Sequence, residues 1–222
     1  MFPNAAKGIK KIHTAEILSL ITAILGIGLA IAVIVAAASL STMTESDSSS
    51  AAGLVGGGLA SILLAVAVAV ISIIAFILKL VGIMNAKKDE AAFNSAFILV
   101  LVGIGASLVA AIFSKNTLVN GIMNGVSNVA SLFITVYIIK GIINIGGKLG
   151  NKGLVQKGQS VLKLIVAVYA ISIVGSLISS IFENVPALAT VGGVLGVIAG
   201  VVAIVYYFIY LSLLGKAKKE IA

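Results

Sequence analysis

Six apolar stretches follow one another along this chain, and almost every basic residue falls on alternate connections between them. The stretches cover 17–40, 53–84, 93–113, 121–145, 161–182 and 188–214. About 20 apolar residues cross a hydrocarbon core roughly 30 Å thick, so each is long enough to span a bilayer. As a helix the second would measure on the order of 45 Å, and must tilt or run past the membrane. Asn124 and Asn128, with Asn120 just before it, interrupt the fourth, which leaves five spans as the alternative count. Hydrophobic residues make up 60% of the chain and charged residues only 10%. Soluble domains run near 45–50% and 25%, so this inventory could not build a water-facing surface. The expected fold class is an all-α integral membrane protein: one six-helix bundle over 1–222, forming a single polytopic domain.

The basic residues are fifteen lysines and no arginine. Lys7, Lys10 and Lys11 precede the first stretch, and Lys79, Lys87 and Lys88 mark the second connection. Lys140, Lys148, Lys152, Lys157 and Lys163 surround the fourth, while Lys216, Lys218 and Lys219 follow the sixth. Lys115 alone lies on the other side. Lysines in short flanking loops stay cytoplasmic, which predicts a plasma or inner membrane protein with both termini in the cytoplasm. Glu45, Asp47 and Glu183 then fall outside. The net charge of +8 is thereby assigned to anionic headgroups, each lysine contributing about 1 kcal/mol near the surface. No soluble segment is long enough for a nucleic-acid module. An all-lysine basic set is compatible with an AT-rich bacterial genome. The first stretch exceeds the 7–15 residues of a signal-peptide core and is expected to remain as an anchor. Phe2–Glu16 is expected to begin its helix along the interface, Ile9 and Ile12 in lipid and the lysines in water.

Internal repetition comes next. Ile104-x-x-Ser107-Leu108-x-x-x-Ile112-Phe113 is echoed by Ile173-x-x-Ser176-Leu177-x-x-x-Ile181-Phe182. Asn85-Ala86-Lys87-Lys88-Asp89-Glu90 is echoed by Lys216-Ala217-Lys218-Lys219-Glu220. Three tandem hairpins in one orientation, with pseudo-threefold order, account for both. That layout resembles the mitochondrial carriers. Their Pro-x-Asp/Glu-x-x-Lys/Arg signature is missing, however, because the two prolines are Pro3 and Pro186 and neither begins it.

Small residues recur at every fourth position in Gly53, Gly57, Ser61 and in Gly192, Gly196, Gly200. Such faces let membrane helices approach closely, either within the bundle or towards a homo-oligomer or membrane-protein partner. Asn120, just before the fourth stretch, shares one helix face with Asn124, Asn128, Ser131 and Thr135 within it. Amides in lipid need partners, so this stripe belongs in interhelical hydrogen bonds or on the wall of a polar cavity. Lys79 and Lys140, with Tyr210, occupy matching hairpin positions, at a cytoplasmic mouth or at headgroup level. Gly146-Gly147-Lys148-Leu149-Gly150-Asn151-Lys152-Gly153 fits no phosphate-loop pattern and is expected to be a flexible basic loop.

The chain has no cysteine and one histidine, His13, and no carboxylate lies in the middle of a stretch. Proton relays use intramembrane ionisable groups, and intramembrane hydrolysis needs a nucleophile–base or metal set. The sequence offers no such set, and no enzyme activity, metal or cofactor is expected. The function expected is a non-enzymatic scaffold, accessory or immunity-type component acting through helix packing. A passive channel or facilitator for a small solute or lipid, lined by the stripe, is the alternative.

Overall fold

The computed structural model describes residues 1–41, 48–181 and 186–221, and the surroundings of side chains at 1–31, 33, 61–171, 198 and 200–221. It contains six helices: α1 (Pro3–Ser41), α2 (Ser48–Ala86), α3 (Ala91–Ile112), α4 (Thr117–Lys148), α5 (Lys152–Ile181) and α6 (Pro186–Glu220). Among the described residues there is no strand. All six helices are long and apolar enough to cross a membrane, and α4 runs unbroken through its asparagines. The chain divides into two units. One is Met1–His13 with Leu80–Ala222, the other Thr14–Lys79.

In the first unit α3, α4, α5 and α6 pack each against the next. Paired positions run in opposite directions along each couple, so the helices are antiparallel. On α3 and α4, Ser107 Oγ lies 3.1 Å from Ser127 Oγ, and Phe93 lies against Gly141. On α5 and α6, Lys157 Nζ donates to Ser212 Oγ at 2.7 Å, and Asn151 Nδ2 to Glu220 Oε2 at 2.8 Å. The core concentrates at the lysine-rich end. Ile9, Ile12, Ile83, Phe93, Ile138, Ile139, Ile142, Ile145, Leu154 and Leu213 are all fully buried there.

Ile9 and Ile12 therefore sit in protein rather than lipid, which corrects the interfacial expectation for the start of α1. The reason is a backbone crossing. A Cβ on Gly8 would collide with the Gly82 carbonyl oxygen, and one on Gly82 would meet Ile12 Cγ1 at 2.7 Å. Two glycines thus let α1 and the end of α2 touch along their backbones, which closes Ile12 over by packing. Hydrocarbon is as apolar as isoleucine, so close packing rather than transfer from water favours such contacts in a membrane.

The glycine-rich connection, expected as a loop, forms a defined turn. Asn151 N–H donates to Gly146 O at 2.8 Å and Gly150 N–H to Gly147 O at 3.0 Å, with Gly150 at φ +67. These are the two hydrogen bonds and the left-handed residue of a Schellman turn, which satisfies the last carbonyls of α4. Asn151 Oδ1 then caps α5 by accepting from Leu154 N–H at 3.0 Å. At the opposite end Asn116 Oδ1 caps α4 in the same manner, accepting from Val119 N–H at 3.1 Å.

Candidate functional site

Two places in the first unit gather polar side chains. The first is the turn between α2 and α3. Asp89 takes Asn4 Nδ2 at 2.9 Å and the Ala5 N–H at 2.8 Å, tying the start of α1 to the turn. Glu90, itself buried, takes Asn144 Nδ2 at 2.8 Å and Lys148 Nζ at 2.6 Å from α4. Burial pushes both carboxyls up, but the hydrogen bonds outweigh it and hold both below the usual carboxylate range. For Asp89 those bonds come from Asn4 and Ala5, for Glu90 from Lys148 and Asn144. Lys148 Nζ also lies 5.7 Å from the centre of the Phe2 ring, and Lys87 Nζ 3.7 Å from that of Phe97. Sequence spacing gave no hint of these pairs, since the partners lie 54 to 85 positions apart. The available signal was an Asp-Glu dipeptide in a four-residue turn among lysines.

The second place is the stripe on α4. Asn124, Asn128 and Ser131 are exposed, and Asn120 and Thr135 partly so. Asn124 Nδ2 donates to Asn120 Oδ1, and Asn120 Nδ2 reaches Ser114 O at 3.4 Å. Thr135 Oγ1 donates back to Ser131 O at 3.2 Å. These bonds are local to α4 and the turn before it. Contact with α3 goes instead through Ser127 and Ala130, one side round.

Lys79 belongs to the other unit, where its Nζ pairs with Glu16 Oε1 at 2.7 Å. Glu16 is the only charge on α1 after Lys11, so the pairing was legible as two lone opposite charges near the same end. Lys140 is exposed, its Nζ 5.9 Å from the Tyr137 ring centre. Tyr210 is 2% exposed and stacks on Tyr206, ring centres 6.1 Å apart. It belongs to the core cluster together with Leu213, Leu214 and Ala217. His13 Nε2 would lie 3.5 Å from a Cβ on Gly215. Of the small-residue faces, Gly200 has open space around it, and Ser61 is partly buried. The surroundings of Gly53, Gly57, Gly192 and Gly196 lie outside the described residues, as do Glu45, Asp47 and Glu183. Among the described residues no three acidic, histidine or cysteine side chains could hold a metal ion together.

Comparison with known proteins gives no family model, no curated protein and no solved structure that matches this chain.

Proposed function

We propose that this chain is a non-enzymatic, multi-pass component of a bacterial inner or plasma membrane, acting through helix packing as a scaffold, accessory or immunity-type protein. The supporting observation is a division of labour along the helices. At the lysine-rich end close packing occupies Gly8, Gly82, Gly141, Gly146 and Gly158, though not Gly147 or Gly150 of the α4–α5 turn, and hydrogen bonds or ion pairs occupy Asp89, Glu90 and Glu220. Away from it, Gly26, Gly28, Gly105, Gly121, Gly125 and Gly200 have no neighbour within 4 Å of where a Cβ would stand. Open small-residue positions on membrane helices suit the approach of another helix, from a partner or from a second copy. The lysine count supports cytoplasmic termini, and the echo between α3 and α5 supports three hairpins in pseudo-threefold order.

Purification of the full chain from native membranes in nanodiscs tests the reading. A stoichiometric membrane partner or a homo-oligomer is expected, lost on Gly26→Leu with Gly28→Leu. A monomer without partner overturns it. A passive facilitator is the second reading, supported by Asn128 standing open on a membrane helix. Reconstituted liposomes without solute flux would remove that one.

A further inference from the structure

His13 is the one histidine of the chain, and histidine is the side chain whose ordinary titration falls between pH 5 and 8. It precedes the first apolar stretch and is partly buried. Its Nε2 lies 3.5 Å from where a Cβ on Gly215 of α6 would stand, so the missing side chain at 215 makes room for the ring. The two helices meet around this point. Ile9 and Ile12 of α1 share the core cluster with Leu213, Leu214 and Ala217 of α6.

Cations gather at the contact. Lys218 follows Gly215 by one turn, shares its helix face and is partly buried. On α1, Lys10 precedes His13 by one turn, with Lys11 beside it, and Lys216 and Lys219 flank Lys218 on α6. The carboxylates of these two helices are Glu16 and Glu220, and both are engaged. Glu16 pairs with Lys79 at 2.7 Å, and Glu220 takes Asn151 at 2.8 Å and Lys216 at 3.8 Å. A proton on His13 therefore adds a cation beside a cation, in a place partly withdrawn from water. Burial, and after it Lys218, hold the imidazole below its ordinary value of 6.5.

We propose that His13 is an acid-sensitive clasp between the start of α1 and the end of α6: neutral, it rests against Gly215, and protonated, it is repelled by Lys218 and loosens the contact. The folded protein binds this proton less readily than the unfolded chain does. The clasp is therefore complete above about 6.5 and weakens as pH falls through the lowered value. Asp89 and Glu90 lose their contributions only below the ordinary carboxylate range near 4, so the start of α1 stays tied to the α2–α3 turn while it loosens from α6. The clasp requires neither a protein partner nor a solute path, so it stands or falls apart from both readings above.

Amide hydrogen exchange of the full chain in nanodiscs tests the clasp, with every rate corrected for the intrinsic effect of pH. From pH 7.5 to pH 5.5, protection over 9–13 and 213–217 should fall about three- to tenfold, within the limit of roughly tenfold per pH unit that one proton allows. Protection over 138–142 in the middle of the core should hold. His13→Gln should abolish the fall. Lys218→Met, which keeps the histidine and removes the neighbouring charge, should make it smaller. Should His13→Gln lose protection already at pH 7.5, Lys218→Met carries the test, because it leaves the ring in its place. Constant protection in the unsubstituted chain overturns the clasp, and so does a fall that persists in His13→Gln. A fall that Lys218→Met leaves untouched overturns the repulsion on which the clasp depends.

Discussion

Glycines mark where this chain is tight and where it is open. Gly82 stands where α1 and α2 touch through their backbones, and Gly141 where Phe93 lies within 2.5 Å of a would-be Cβ. Gly82→Val should therefore force Ile12 away and cost about 1–3 kcal/mol, as overpacking does. Thermal unfolding followed in detergent should show a lower midpoint, with early exchange in the first turns of α1. Gly105→Ala is the matched control. Nothing lies within 4 Å of its Cβ position, and alanine favours the helix by about 1 kcal/mol in water, so its midpoint should hold or rise. Both glycines look alike in the sequence, each flanked by apolar residues. Only the path of a second helix separates them.

At the scale of elements, short turns carry the polar chemistry. The α2–α3 turn ties α1 to α4 through Asp89 and Glu90. Glu90→Ala leaves Asn144 and Lys148 without their acceptor, and should cost about 1–3 kcal/mol. Because both carboxyls titrate lower when folded than when unfolded, their contribution is complete above the ordinary carboxylate range near 4. It is lost as pH falls through the lowered values. Acid should thus loosen the lysine-rich end first, and Glu90→Gln should flatten that dependence when melting is followed from pH 7 to pH 3. The α4–α5 turn depends on Gly150, whose positive φ suits no other residue well. Gly150→Ala should cost about 1–2 kcal/mol and fray the start of α5, visible as faster amide exchange at Leu154 and Val155. Capping by Asn116 and Asn151 was within reach of the sequence, since both stand just before a helical run. The ties from Asp89 to Asn4 and from Glu90 to Asn144 were not, because spacing says nothing about which distant helix end arrives.

For the molecule as a whole, protease-protection assays on tags at the two ends should place both on the lysine-rich face. A tag in the 42–47 connection should report the other. Opposite faces for the two ends would contradict the lysine reading. The number of helices, their order and the side on which cations collect were written in the chain itself. Apolar length against bilayer thickness sets the first two, and the cost of carrying lysine across sets the third. All three are local quantities, summed along the sequence without knowing what touches what. Helix partners could not be read this way. A membrane helix is apolar all round, so no amphipathic stripe distinguishes its protein-facing side from its lipid-facing side. That is why Ile9, Ile12 and Tyr210, expected at the interface, were found in the core. It is also why burial of Ile142 and exposure of Asn128 on one face of α4 could not be foreseen. Which contacts form depends on how closely two backbones approach, a property of pairs of helices that only their arrangement in space decides.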